Sequence, residues 1–560
     1  MPCLLQAGSD EDVDEIRAEI DDMSRVPPDL STPPPGPSRW DHPNGSPARR
    51  KLPIGIQTLR TIRTDGHYYV DKTPHVARLL VSGSRYFLSR PRRFGKSLLV
   101  DTLKSLFEAQ EDLFRGLAIH DSWDWSLRHP VLKLDFAGGD FSTVARLEAW
   151  VIAQLEDQAH AAGIDPPAGH APECLQRIIR ALREASGGSQ VVVLVDEYDK
   201  PILDVLASPD AARSSRDFLR GLYGTLKTCD EHLRLVLLTG VSKFSKVNLF
   251  SGLNNLEDIT LDPRFATICG YTDADLDQVF APELDGLDRD AIRKWYNGYG
   301  WRGEPVYNPF DILLLFKNRE FGAYWFETGT PTFLLELLAR RGVNSFDLDS
   351  MVADEALLSA FDVDRIEPEA LLFQAGYLTV RDHEHLPGHR LYRLRYPNLE
   401  VRHSLHRSLL SYLCNRGIRP TRWLSVTQAL RTGDMAALEA ELRALFAGIP
   451  YEWHTKNDLA RYEGYCASVF YSFLVGSQLD VRVEDSSAAG RLDVAVVLDE
   501  AAYVFELKVA ERATPGAALE QLRRRAYADK HRRPGRPVHL VGIHFSEESR
   551  NIVELGMETA

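Results

Sequence analysis

Three consecutive residues, Gly95-Lys96-Ser97, follow an apolar run (Tyr86-Phe87-Leu88-Ser89) and a basic turn (Arg90-Pro91-Arg92-Arg93-Phe94), and they open the helical pattern Leu98-Leu99-Val100-Asp101-Thr102-Leu103. A strand, a turn and a Gly-Lys-Ser at a helix start are the parts of a phosphate-binding loop. Backbone N–H groups cradle phosphate oxygens there, a lysine reaches the β and γ phosphates, and a hydroxyl holds Mg²⁺. Arg93, Gly95, Lys96 and Ser97 are accordingly the candidates for binding ATP, with Ser97 also a Mg²⁺ ligand; Arg92 and Arg93 either hold phosphate or are solvated. The usual spacing puts a first glycine six residues before the lysine, and that position here is Arg90.

A second group completes that chemistry. Val191-Val192-Val193-Leu194-Val195 is a continuous apolar run, the signature of a buried parallel strand, and Asp196-Glu197 ends it. Open α/β sheets bind ligands at such strand ends. Asp196 is the expected Mg²⁺ ligand and Glu197 the residue that polarises the attacking water, with Asp199 next in line.

The last hundred residues hold another constellation. Asp493 begins the apolar run Val494–Val497, a turn follows at Asp499–Ala502, and Tyr503-Val504-Phe505-Glu506-Leu507-Lys508 carries an acid and a lysine two residues apart. Period two places Glu506 and Lys508 on one face of a strand. Asp493 and Glu506 as metal ligands, with Lys508 beside the nucleophile, suit phosphodiester hydrolysis. Glu463, on a helical stretch before the hairpin, offers a further carboxylate.

These residues require two α/β units. Strands are expected at Arg85–Leu88, Val131–Phe136, Val191–Val195 and Leu233–Thr239, within a P-loop NTPase parallel sheet spanning 51–330. Residues 331–450 read as a helical, winged-helix-like segment in which Leu371–Val380 and Arg390–Tyr396 form a β-wing. Residues 451–560 open with a helix and continue through strands Arg491–Leu498 and Tyr503–Val509, a further helix and the strand Val538–Phe545. Residues 1–50 pair an acidic run (Asp10–Glu15) with a proline-rich one (Pro33–Pro37), a composition expected to stay disordered.

Composition narrows the function classes. The chain has 560 residues, 44% hydrophobic and 26% charged, the balance of an ordinary globular protein. A net charge of −14 excludes a generally basic nucleic-acid coat while leaving room for a local basic channel. The six cysteines form no Cys-x-x-Cys pair, so neither a zinc site nor a disulfide framework is expected. No apolar stretch has the length of a membrane span and no secretory signal is evident, so a cytoplasmic location away from membranes is expected.

Several blocks together resemble the AAA-ATPase-like family, whose members carry a PD-(D/E)XK nuclease-like domain at the C-terminus. They are Gly55-Ile56-Gln57, Tyr69-Val70-Asp71-Lys72-Thr73, Phe87 to Ser97, Phe114-Arg115-Gly116-Leu117, Asp196 to Pro201 and Thr239-Gly240-Val241-Ser242-Lys243. The resemblance covers about 51–330 and 451–560. It implies a P-loop sheet followed by a restriction-endonuclease-like α/β domain. Lys96, Ser97, Asp196 and Glu197 then form the nucleotide site, and Asp493, Glu506 and Lys508 the nuclease core. Glu463 on the first helix and Gln521 on the helix after the core join them. It also implies ATP and Mg²⁺ as cofactors, nucleic acid (DNA ahead of RNA) as partner, and assembly into homo-oligomers. Arg90 belongs to this family's pattern, whereas Leu492 stands where the nuclease motif has proline.

Other residues have two readings each. Asp71 either contacts the base or caps the helix begun by Thr73-Pro74. Thr239, Ser242 and Lys243 either sense the γ-phosphate or end a strand. The stretch Trp295–Trp301 either stacks a base or packs as a loop. Arg523–Arg525 and His531–Arg533 either touch a phosphate backbone or are solvated. Two functions follow: an ATPase coupled to a metal-dependent nuclease, or a nucleotide-dependent switch whose silent nuclease-like scaffold binds a protein partner.

Overall fold

A computed structural model describes residues 49–560, apart from 244–248, 251–252, 254, 329–331, 342, 359–360, 363–364, 415–417, 450–458, 487–491 and 526–527. The reading of residues 1–50 therefore lies almost wholly outside the described residues. No helix among the described residues is long and apolar enough to cross a membrane.

The first sheet is all parallel. It consists of β1 (Arg85–Ser89), β2 (Val131–Asp135), β3 (Val191–Asp196), β4 (Leu233–Gly240) and β5 (Glu257–Asp258) in the order β2-β3-β4-β1-β5. The four long strands fall where the apolar runs lie. β1 and β3 are buried along their whole length, as expected of central strands covered on both faces. The order separates the Gly-Lys-Ser strand from the Asp-Glu strand by β4, so β4 ends between the two halves of the site. After β5 the chain turns helical (Asp273–Val279, Arg289–Tyr296, Pro309–Asn318), and no further strand joins this sheet among the described residues.

The middle segment runs helix Thr332–Arg341, β6 (Val352–Asp354), helix Glu355–Leu358, the short pair β7 (Phe361–Asp362) and β8 (Arg365–Ile366), helix Pro368–Ala375, then the hairpin β9 (Thr379–Leu386) and β10 (His389–Arg395). The three longer strands form an antiparallel sheet in the order β6-β10-β9. The order is helix, strand, helix, a short strand pair, helix and hairpin. One expectation is corrected: Leu371–Val380 is not the first arm of the wing. Pro368 opens a helix and Gly376, at φ +90°, closes it in the left-handed region, so strand begins only at Thr379. The run Leu371-Leu372-Phe373 is apolar because that helix is buried, and a short apolar run does not distinguish helix from strand.

The C-terminal sheet has the order β11 (Asp480–Ser486), β12 (Leu492–Val497), β13 (Ala502–Val509), β14 (Val538–Ser546) and β15 (Asn551–Thr559). Only the β13–β14 pair is parallel. β12, β13 and β14 were legible in the sequence; β11 and β15 were not, being short on apolar alternation. One face packs against the helix Leu459–Gly476, with Phe470 edge-on to Phe505 at 5.2 Å. The other carries Ala495, Ala502, Val504, Val538 and Leu540 against Leu522 of the helix Ala517–Arg525. Gly542 allows that helix to approach: a Cβ there would lie 3.0 Å from the Leu519 nitrogen.

Candidate nucleotide and nuclease sites

The helix Lys96–Phe107 starts at Gly95 in the left-handed region (φ +91°), and no side chain caps it. Its first-turn N–H groups lack intrahelical partners, and the positive end of its dipole faces the loop. Arg93 is also left-handed (φ +69°), a conformation costly for a side chain other than glycine, asparagine or aspartate. The loop is thus held open by its surroundings. Arg90, in the place of the missing glycine, is fully buried. Its guanidinium donates to the carbonyls of Ser89, Thr260 and Phe265 and lies 4.0 Å from the Trp301 ring. Arg90 anchors the base of the loop through these contacts.

Lys96 is buried and donates to the carbonyls of Arg90 (3.0 Å) and Pro91 (3.2 Å). Ser97 follows at the partly buried helix start. Asp196 is buried at the end of β3 and accepts from Thr239 Oγ1 at 2.7 Å, so β4 supplies a hydroxyl that orients the acid. Glu197 adopts φ +54° and is mostly buried; burial pushes its carboxyl up, with the Lys96 charge acting in the opposite direction. Lys96, Asp196, Glu197 and Arg92 therefore converge. Arg93 is exposed, with its guanidinium 4.7 Å from the Phe310 ring.

Two of the other double readings have a structural role in the fold, Asp71 and the stretch Trp295–Trp301. Asp71 accepts from the backbone of Thr73 (2.8 Å) and Ala118 (2.8 Å), the structural role. Tyr296, Tyr299 and Trp301 are buried, and Tyr299 and Trp301 pack edge-on to Phe94, so that stretch is a packed loop. Lys243 pairs with Asp258. Asp199 is a feature the sequence signalled only weakly. It is fully buried and accepts from the backbone N–H groups of Val241 and Ser242 and from the Ser242 hydroxyl, which pins the turn after β4.

In the C-terminal sheet, Asp493 on β12 and Glu506 on β13 are register partners, both almost fully buried. Glu506 Oε1 lies 2.6 Å from the Lys508 ammonium. Burial pushes the Glu506 carboxyl up to about 8, reinforced by Asp493 beside it and opposed by Lys508. Its Oε2 is buried without a hydrogen-bond partner, and so is Nε2 of Gln521 on the helix over this face. Two adjacent buried acids with an unpartnered oxygen fit a hard divalent cation. Among the described residues no group of three or more His, Cys, Asp or Glu is placed to hold a metal. The Glu463 side chain lies outside the described residues.

Residues 53–250 match the family model described as "Predicted AAA-ATPase", and residues 461–555 match the PD-(D/E)XK nuclease superfamily. An "Uncharacterized protein in vnfD 5'region" of Azotobacter chroococcum mcd 1 is 52% identical over 521 residues, covering 91% of this chain and 99% of that protein. The chain belongs to the AAA-ATPase-like family. Its C-terminal domain is of the PD-(D/E)XK nuclease superfamily. The order β2-β3-β4-β1-β5 gives the ATPase-like domain its parallel sheet, and Asp493, Glu506 and Lys508 occupy one corner of the nuclease-like sheet. Sequence reasoning missed His544 and Glu554 on that same face. Their only signal was the two-residue spacing of Gly542 and His544 in β14, and of Glu554 and Gly556 in β15.

Proposed function

We propose that this protein is an ATP-dependent nuclease of the cytoplasm, dividing into an ATPase-like unit (51–330), a winged-helix-like bracket (331–450) and a nuclease-like unit (451–560). ATP is bound by Gly95, Lys96 and Ser97, with Arg93 at the rim. Asp196 and Ser97 are the residues that would hold Mg²⁺, and Glu197 orients the water that attacks the γ-phosphate. In the C-terminal site Asp493 and Glu506 would hold a divalent ion, which when bound supplies charge neutralisation at the phosphodiester. Lys508 stabilises charge developing at phosphorus, Gln521 donates to the substrate or its water, and Glu463 completes the acidic set. DNA is the preferred substrate, and the active form is a homo-oligomer.

The observation that carries this reading is the buried Asp493–Glu506 pair with Lys508 salt-bridged to it. Two acids buried side by side are costly to a fold, and the unpartnered Glu506 Oε2 with the Lys508 ammonium beside the pair suits metal-assisted hydrolysis. The test is cleavage of plasmid and single-stranded DNA with Mg²⁺ or Mn²⁺, with and without ATP. Asp493→Ala and Lys508→Ala are each expected to lower cleavage at least ~100-fold while the thermal melt is kept, a loss typical of removing an essential catalytic group. Cleavage indifferent to both substitutions, or absent from the wild type on DNA and RNA alike, would leave the nucleotide-dependent switch with a silent scaffold as the function.

A further inference from the structure

We propose that His544 is the proton acceptor of the nuclease site, held in the required tautomer by Glu554. The inference rests on the nuclease reading above and adds a residue to it.

His544 on β14 is the register partner of Lys508 on β13 and of Glu554 on β15. Register partners share a face, so Lys508, His544 and Glu554 form a row across three strands, about 4.8 Å per step. Two residues back, Glu506 pairs with Gly542 and Gly542 with Gly556, so glycines separate Glu506 from the edge of the sheet. The row therefore forms the polar end of the face that holds Asp493 and Glu506, while its apolar end lies under the helix Ala517–Arg525.

His544 is 3% exposed. Its Nδ1 lies 2.5 Å from Glu554 Oε2, and its Nε2 is buried without a hydrogen-bond partner. A carboxylate oxygen facing Nδ1 is met by an N–H there, and we assign the lone pair to the unpartnered Nε2. With Nδ1 turned to β15, Nε2 is on the side of the ring toward β13 and Lys508. On the nuclease reading, a carboxylate, an imidazole and an unpartnered Nε2 one register step from Lys508 suit a general base with its orienting group. By register, Lys508 from β13 and Glu554 from β15 flank the ring.

The step balances without a further reactant. The water oxygen forms a bond to phosphorus and the bond from phosphorus to the leaving ester oxygen breaks. The water proton moves to His544 Nε2, the imidazolium is paired with Glu554, and the leaving oxygen takes its proton from solvent.

Two measurements on the full chain test this. Long-range ¹H–¹⁵N spectra of the metal-free protein, with the ring assigned by its loss in His544→Gln, are expected to show a protonated Nδ1 and a bare Nε2; a proton on Nε2 overturns the proposal whatever the activity. In cleavage assays His544→Gln is expected to lower kcat ~100-fold or more and to flatten the acid limb of the pH–rate profile. Mn²⁺ affinity measured by calorimetry is expected to stay within threefold. Loss of Mn²⁺ binding would make His544 a metal ligand and overturn the proposal. Full cleavage with an unchanged acid limb overturns it too, and since the wild type and Asp493→Ala report separately, that failure leaves the nuclease reading standing. A wild type that cleaves nothing removes both.

Discussion

Lys96 and Glu197 show how far single side chains commit the protein. The Lys96 ammonium already satisfies itself on the Arg90 and Pro91 carbonyls, so it is preorganised in the loop without a ligand. Removing it deletes a charge-assisted contact to the terminal phosphates. Lys96→Ala is expected to weaken a fluorescent ATP analogue by about 2–3 kcal/mol, roughly 30- to 150-fold. Unchanged affinity would reduce Gly95-Lys96-Ser97 to a helix start. The role proposed for Glu197 comes later in the cycle. It stands at the end of β3 in the left-handed region, and burial raises its carboxyl pKa. Glu197→Gln is expected to keep ATP affinity and lower turnover by ~100-fold, the split that marks a group acting only in the transition state. Equal turnover would pass the role elsewhere, and Asp199 is an unsuitable heir because its oxygens are spent on the Val241–Ser242 turn. Most of this site was legible because each residue sits at the end of a strand or the start of a helix, where spacing reveals direction. The part played by Arg90 was not: a buried arginine under a loop has the same sequence signature as a solvated one.

At the scale of elements, the helix Pro309–Asn318 and the helix Leu399–Leu413 bring two carboxyls together in the interior. Asp311 and Glu400 are both 0% exposed. Glu400 Oε1 accepts from the backbone of Trp325 and Phe326, whereas Glu400 Oε2 and both Asp311 oxygens lack a conventional donor. Burial, together with the neighbouring Glu400, holds the Asp311 carboxyl well above its usual range, and burial pushes Glu400 up to about 7. An acid whose pKa is raised by folding favours the fold while it is protonated. That contribution is complete below the ordinary carboxylate range and is lost as pH rises through about 7. Calorimetric melts of the wild type should therefore fall between pH 5 and pH 8. Asp311→Asn supplies an N–H to Glu400 and removes one charge. It is expected to flatten that fall and to gain ~1–2 kcal/mol at pH 8 with little change at pH 5. Parallel melting curves for the two proteins would show that the pair does not share a proton. No sequence pattern announced this pair, since its members lie 89 positions apart and each reads alone as a polar residue near a helix start.

Across the whole molecule, the middle segment connects the two sites through a continuous set of buried contacts. Its helix Pro368–Ala375 corresponds in order to the helix that reads the major groove in helix-turn-helix proteins, yet here it is buried. Gln374 accepts from the Lys243 backbone just after β4 (2.9 Å), and a Cβ on Gly376 would lie 2.7 Å from Pro91 of the phosphate-binding loop. This helix therefore packs against the end of β4 and the Gly-Lys-Ser loop. From the loop, the Arg92 carbonyl accepts from Trp325 Nε1 at 3.0 Å, and the Trp325 backbone donates to Glu400 at 2.9 Å. Glu400 begins the helix Leu399–Leu413, whose Arg402 donates to the Val481 carbonyl of β11 and whose His406 Nδ1 lies 2.9 Å from Ser472 Oγ on the first nuclease helix. Spatial continuity carries no coupling energy by itself; a coupling exists only if both sites bias the same element. Trp325→Phe keeps an aromatic ring and removes the N–H that grips the loop together with part of the ring's volume. If the loop moves the bracket when ATP binds, the ratio of cleavage with ATP to cleavage without it should fall toward one in this variant. ATP affinity and nucleotide-free cleavage should stay within about threefold, because a coupling of 1–3 kcal/mol is a 5- to 150-fold effect and its loss is measurable against that background. A ratio equal to that of the wild type would mean that the two sites share a chain without sharing a conformational equilibrium.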